Sequence, residues 1–193
     1  MMAFGATLTY GVGFYTVMSY MPTYLKKVTE FGAGEMFVVT CAVLLAHITA
    51  LPLLGALSDR IGRKPVLIAG SLALVVVTYP AFLLIAQGRN MFVAIVAGAV
   101  MGALIAAGAA PLFAFMAEMF PTRLRTSSVS IGYNASVMIF GGTAPFIATF
   151  LIDRTGSDVA PSFYLVAAAA GTALTLWLAR INKTSHSDSL RQT

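Results

Sequence analysis

The sequence predicts an all-α membrane protein with six transmembrane helices. Three observations predict it. Of the 193 residues, 59% are hydrophobic. Only 10% are charged, against about 25% in an ordinary soluble domain. The 12 basic and 7 acidic residues fall in short clusters with long uncharged gaps between them. No charge precedes Lys26, and none lies between Glu35 and Asp59, Lys64 and Arg89, Arg89 and Glu118, Arg125 and Asp153, or Asp158 and Arg180. Each gap reaches the roughly 20 residues that an α-helix needs to cross the hydrocarbon core. A closed β-barrel would instead show short alternating segments, and an open sheet cannot span lipid.

The gaps place the spans at about 3–25, 36–57, 66–86, 91–116, 129–152 and 161–181. Met1–Ala6 has no basic segment and leads to no small-residue cleavage site, so it does not read as a signal peptide. Turn signals separate the spans: Phe31-Gly32-Ala33-Gly34, Gln87-Gly88-Arg89-Asn90 and Thr155-Gly156-Ser157-Asp158. Pro65 and Pro161 sit near helix starts, where a missing N–H does no harm. Pro22, Pro52, Pro80, Pro111 and Pro145 lie within spans or near their ends, where bundle partners can re-satisfy the freed backbone groups. Gly98, Gly102, Ala106 and Ala110 recur every four residues and form a stripe that admits a close neighbour. Residues 182–193 read as a short, polar, disordered cytoplasmic tail.

Alternate loops differ in basic charge. Arg60, Arg63, Lys64, Arg123, Arg125, Arg180, Lys183 and Arg191 fall on one side; Lys26, Lys27, Arg89 and Arg154 fall on the other. The richer side is expected to be cytoplasmic, which places both termini there. This bias accounts for the net charge of +5 without nucleic acid. One cysteine, Cys41, excludes a disulfide framework or a multi-cysteine metal site. No zinc signature, carboxylate pair or Ser/His/Asp set lies at membrane depth, so the sequence does not read as an enzyme, and no cofactor is expected.

Spans two and five end alike. Pro52 leads to Asp59-Arg60-Ile61-Gly62, and Pro145 leads to Asp153-Arg154-Thr155-Gly156. As middle helices of successive three-helix units they exit on opposite sides, as in an inverted-topology repeat.

Gly55-Ala56-Leu57-Ser58-Asp59-Arg60-Ile61-Gly62-Arg63-Lys64 carries the strongest motif. Positive-inside bias accounts for Arg60, Arg63 and Lys64, but not for Gly55, Asp59 and Gly62 at these spacings. Gly55 permits close helix approach, Gly62 a tight turn, and Asp59 a carboxylate facing a helix N-terminus or an arginine. The segment resembles the loop signature of the major facilitator superfamily, Gly-x-Leu-(Ala/Ser)-Asp-Arg-x-Gly-Arg-(Arg/Lys), at every fixed position. The resemblance implies a cytoplasmic gate latch, made and broken during alternating access. Ala117-Glu118-Met119-Phe120-Pro121-Thr122-Arg123-Leu124-Arg125 and Phe140-Gly141-Gly142-Thr143-Ala144-Pro145 are similar to the metabolite:proton symporter branch, which holds proline/betaine, α-ketoglutarate, citrate and shikimate carriers. Tyr15–Leu25 looks most like the opening C-terminal-half helix of the proline/betaine type. The resemblance implies that these spans correspond to helices seven to twelve of a twelve-helix symporter. Its partners would be the bilayer, a small solute with a proton, and either the N-terminal six-helix half or a second copy.

Further candidates follow. Glu118 is placed to pair with Arg60 or Arg63, with Arg123 and Arg125 beside it. His47 is the one group deep in a span that titrates near neutral pH, which fits proton or substrate handling as well as packing. Tyr15 is the deepest tyrosine of span one and could offer a ring face to an ammonium group. Tyr20 and Tyr24 read as interface anchors. Tyr133 and Asn134 supply uncharged polar groups to span five. The other reading is a stand-alone or truncated six-helix protein that homodimerises or does not transport.

Overall fold

The computed structural model describes residues 2–88, 90–119 and 125–189. The described residues form helices and short connections, with no strand. In chain order they are α1 (Met2–Gly13), a π-helical stretch π1 (Phe14–Ser19), α2 (Met21–Val28), α3 (Ala33–Ile61), α4 (Arg63–Gly88), α5 (Met91–Met119), α6 (Arg125–Ser136), a second π-helical stretch π2 (Val137–Gly141), α7 (Ala144–Thr155) and α8 (Ala160–Ser189). Five stretches are long and apolar enough to cross a membrane: α3, α4, α5, the run through α6, π2 and α7, and the first part of α8. The N-terminal stretch is assembled from three consecutive pieces, α1, π1 and α2. The helix expected to stop near Ile181 continues in α8 to Ser189, so residues 182–189 are helical rather than a disordered tail.

The helix ends follow local chemistry. The Glu35 carboxylate accepts the Gly32 N–H at 2.9 Å, which places a negative charge at the N-terminus of α3. The Asn90 side-chain oxygen accepts the Phe92 N–H at 2.9 Å and caps α5. Gly62 (φ +99°) ends α3 and Gly156 (φ +66°) ends α7. Their N–H groups bond Ser58 O at 3.0 Å and Ile152 O at 2.9 Å. A side chain would be strained at either backbone conformation, which is why each Asp-Arg-x-Gly segment closes with glycine.

In both π stretches a wide turn replaces the α pattern. The Tyr20 N–H reaches the carbonyl of Tyr15, and the Gly142 N–H that of Val137, both at 2.9 Å and five residues back. A proline follows each wide turn, Pro22 in α2 and Pro145 in α7. Such turns shift the register of one helical face against the next and concentrate at functional positions.

The core is built from α3 packed along α5, with α4 between α5 and α8, and α1 against α8 and α6. Val39 and Val43 of α3 meet Met101 and Ile105 of α5; Leu74 and Phe82 of α4, Val12 of α1 and Leu165 of α8 complete the cluster. The small-residue stripe sets the α3–α5 distance. A Cβ on Gly98 would lie 2.7 Å from Val43 Cγ2, and one on Gly102 would lie 2.6 Å from the Val43 carbonyl oxygen. The outer faces carry Phe37, Leu53, Val76, Phe92 and Phe146, each about 70% exposed, which suits lipid or a further helical layer.

Because the group facing Gly102 is backbone, Gly102→Ala is expected to push α3 from α5 and cost about 1–3 kcal/mol. Gly108→Ala, with nothing within 4 Å of the new methyl, is expected to be close to neutral. Thermal melts of the two variants in the same detergent check the contrast.

Candidate functional site

One end of the bundle gathers the charged motif. Gly62 ends α3 and α4 begins at the next residue, so Arg63 stands at the corner between the two helices. From there its guanidinium reaches two ways. Nη1 lies 2.6 Å from Glu118 Oε1 at the end of α5, and Nη2 lies 3.6 Å from Asp59 Oδ1 in the last turn of α3. Three helices are thus tied through one planar cation, whose several N–H donors suit more than one carboxylate. The arginine side chain is 29% exposed, while Asp59 and Glu118 are 70% and 60% exposed. Ser58, buried beside them, donates its hydroxyl to the Gly55 carbonyl at 2.8 Å. Arg60 is exposed, and Lys64 is half-buried and engaged in an interaction of its own. Arg123 lies outside the described residues. Arg125 opens α6, and its side chain lies outside the description.

The expectation that Gly55 admits a close helix is not met within this chain. Among the described residues nothing lies within 4 Å of where its Cβ would be. The face of α3 at Gly55 is open rather than packed.

A second, uncharged cluster forms where α1 and π1 meet α3, α5, α6 and π2. His47 is 5% exposed. Its Nδ1 lies 3.0 Å from the Gly102 carbonyl. A carbonyl only accepts, so Nδ1 is the protonated nitrogen in this bond. The Phe14 ring meets the imidazole edge-on, with centroids 6.2 Å apart. Tyr10 stacks on Tyr133 at 6.4 Å, and Phe113 touches Tyr133 at 5.1 Å. Tyr15 lies over Gly141, where a Cβ would come within 2.7 Å of its ring. Asn134 is exposed on α6. The candidates Tyr15, His47 and Tyr133 therefore share one aromatic neighbourhood, bridged by Tyr10 and Phe14. The sequence-based candidates include neither bridging residue, because on a regular apolar helix nothing marks Tyr10 or Phe14 off from packing residues. The π turn breaks that regularity, and its sequence trace is only the downstream proline.

Tyr20 and Tyr24 are not interface anchors. They are 3% and 1% exposed. Tyr20 Oη lies 3.0 Å from the Thr149 hydroxyl, to which it can donate while Thr149 gives its own proton to the Pro145 carbonyl, and the Tyr24 ring meets Phe82 edge-on at 5.0 Å. Following π1, α2 turns both rings into the bundle. At the end of α2, Lys27 forms an ion pair with Asp153 of α7, and the adjacent Arg154 lies 5.4 Å above the Phe150 ring. Among the described residues, no group of three or more His, Cys, Asp or Glu side chains could hold a metal ion.

Comparison with known proteins adds to this geometry. The family model for the Major Facilitator Superfamily matches residues 3–192. The ectoine/proline transporter of Corynebacterium glutamicum is 38% identical over 165 residues, 83% of this chain and 32% of that protein. The citrate-proton symporter of Klebsiella pneumoniae is 32% identical over 176 residues, 86% of this chain and 38% of that protein. The proline/betaine transporter of Escherichia coli is 32% identical over 166 residues, 86% of this chain and 33% of that protein. The chain spans about a third of the length of these curated relatives.

Replacing His47 by Leu keeps the bulk but removes the donor to the Gly102 carbonyl. The Gly102 carbonyl keeps its place in the α5 ladder, so the expected loss is that of one buried hydrogen bond, about 0.5–1.5 kcal/mol. His47→Asn is expected to recover part of it. Unfolding in detergent, compared across the parent and both variants, measures this.

Proposed function

The chain belongs to the Major Facilitator Superfamily, whose members are transporters rather than enzymes, and from that premise we propose that it is the C-terminal six-helix half of a proton-coupled symporter for a small metabolite. It is an integral, multi-pass membrane protein. On this reading α1, π1 and α2 form the first span, and α3, α4, α5, the α6–π2–α7 run and α8 form the other five. The spans make two inverted units of three. Supporting this, the two Asp-Arg-x-Gly ends share the same backbone device, a glycine of positive φ. The most exposed spans are α3 and the α6–π2–α7 run, with 22% and 28% of their central windows buried against 50% for α5. Those faces, with the open surface at Gly55, would receive the other half. The excess of Lys and Arg on the Arg63 side supports a cytoplasmic placement of that end and of both termini, in a bacterial-type inner membrane.

The observation that carries the proposal is Arg63 held between Asp59 and Glu118. Asp59 and Arg63 belong to the family-like loop and Glu118 to the second family-like segment at the end of α5, an arrangement suited to a latch. Mostly exposed ion pairs are weak individually, on the order of 1 kcal/mol or less, so they can be broken and remade within a transport cycle. Closed, the latch fixes the ends of α3, α4 and α5; released, it lets the bundle tilt toward the other state. Gly55, Asp59, Arg60, Gly62, Arg63, Lys64, Glu118, Arg123 and Arg125 form the proposed gate. The solute would contact Tyr15, Tyr133 and Asn134, with His47 as a proton or substrate residue. Solutes of the proline/betaine class fit the aromatic neighbourhood through ring–ammonium contact. Di- and tricarboxylates are the other class, and their cation would have to come from the other half, because no Lys or Arg lies deep in these spans.

Glu118→Arg and Arg63→Glu singly are expected to lower uptake about tenfold or more, and the double reversal to restore a measurable part of it. Proteoliposomes that hold the chain with an N-terminal six-helix partner provide the assay. A double variant that recovers nothing removes the pairing. Uptake by the chain alone would overturn the half-transporter reading in favour of a stand-alone or homodimeric protein. In the same assay His47→Ala is expected to alter the dependence of uptake on pH; an unchanged pH profile excludes the proton role.

A further inference from the structure

The ion pair between Lys27 and Asp153 lies at the end of the bundle opposite Arg63 and joins elements far apart in sequence. Its place is not arbitrary. At the Arg63 end, the turn that closes the second span is bridged to the end of the fourth, the opening helix of the other three-helix unit. At the far end, the turn that closes the fifth span, Asp153-Arg154-Thr155-Gly156, is bridged to the end of the first, again the opening helix of the other unit. The two bridges join corresponding elements of the inverted repeat, though not through aligned residues: Asp153 precedes its glycine by three positions as Asp59 does, whereas Arg63 follows Gly62. The cation belongs to the turn in one (Arg63) and to the opening helix in the other (Lys27).

We propose that Lys27 and Asp153 form a second latch, which holds the outer ends of the first and fifth spans together and releases them as a pair. The proposal rests on the six-helix, inverted-repeat reading above. Three further observations carry it. Below the ion pair the same two elements are joined once more, by the Thr149 hydroxyl to Tyr20 Oη at 3.0 Å. Below that, each span is interrupted by a wide turn, π1 and π2, and the two stretches touch where Gly141 receives the Tyr15 ring. Above each wide turn α2 and α7 are short, at 8 and 12 residues, so each can swing as one rigid piece. The ion pair stays in reach of water, with side-chain exposures of 34% for Lys27 and 60% for Asp153, so opening it strands no charge in hydrocarbon. The neighbouring Arg154 lies over Phe150 and takes no part.

The test uses the full chain in detergent, with Cys41→Ser as background and Thr149→Cys as reporter between the two outer segments. The rate of maleimide labelling reports how often they part. Lys27→Gln and Asp153→Asn are each expected to speed labelling about threefold, the population change that an exposed ion pair commands. The exchange Lys27→Asp with Asp153→Lys is expected to return the rate toward that of the parent. An unchanged rate in the single variants, or an exchange that behaves like either of them, overturns the latch. Salt supplies a second measurement on the unaltered ion pair, should a single variant fail to fold. Molar salt screens an exposed pair and is expected to speed labelling of the Thr149→Cys reporter; a rate indifferent to salt overturns the latch as well. Labelling is read without transport, so the uptake assay and this one can fail separately.

Discussion

Hydrocarbon offers no partner to a backbone N–H or carbonyl, and that constraint shapes each irregular feature of this bundle. A wide turn, a proline or a close crossing is tolerable only where another group takes up the hydrogen bonding. Hydroxyl side chains do so repeatedly. Thr40, Thr143, Thr149, Thr155 and Thr175 each donate to the carbonyl four residues back on their own helix. Tyr164 of α8 donates to the Phe140 carbonyl inside π2 at 3.0 Å. The Thr172 hydroxyl takes the Thr9 N–H at 3.1 Å and gives its own proton to the Gly5 carbonyl at 2.8 Å, splicing α8 into the ladder of α1. His47 on the Gly102 carbonyl follows the same rule at the α3–α5 crossing.

The two π stretches also meet each other, where Tyr15 lies against Gly141. A wide turn rotates the residues that follow it by a fraction of a turn. In the first stretch this brings Tyr20 and Tyr24 inward and leaves Tyr15 against π2. In the second it presents Gly141, whose missing side chain leaves room for that ring. Sequence, local geometry and the aromatic neighbourhood are thus linked: Gly141 and the prolines after each turn permit the approach that gathers Tyr10, Phe14, Tyr15, Tyr133 and His47.

Much of the fold was legible because charge placement is enforced by solvation. A charge within a span is expensive, so the uncharged gaps mark the long helices wherever the chain is regular. The Asp59-to-Lys64 loop was legible for a related reason, since glycine at φ +99° and a cation at the corner follow from the turn itself. Pairing between distant elements was not legible. Glu118 could be assigned to either of two arginines, and only the path of α4 out of Gly62 selects Arg63. Lys27 and Asp153 read as loop charges, because no local pattern links residues on different spans. Tyr20 and Tyr24 misled, because a tyrosine near a span end looks like an interface anchor until a wide turn below it changes the direction it faces. Gly55 misled in the opposite sense, since a small residue marks a permitted approach but not the presence of the approaching helix.

The division of chemistry between the ends and the middle follows from the same electrostatics. A latch has two states, and in the open one each charge must find a solvent. At the bundle ends water is at hand, and the carboxylates of Asp59, Glu118 and Asp153 are already at least 60% exposed while paired. Opening such a pair trades one modest interaction for hydration, which keeps the two states close in energy. Placed at mid-depth, the same pair would lose hydration on opening and lock the bundle shut. The middle instead holds ring faces, a hydroxyl-lined backbone and one imidazole. Each ion pair sits beyond a break in the helical path, the corner at Gly62 or the short helices α2 and α7. On the proposed reading, the charges set when the ends open, and the uncharged centre sets what can be held while they are closed.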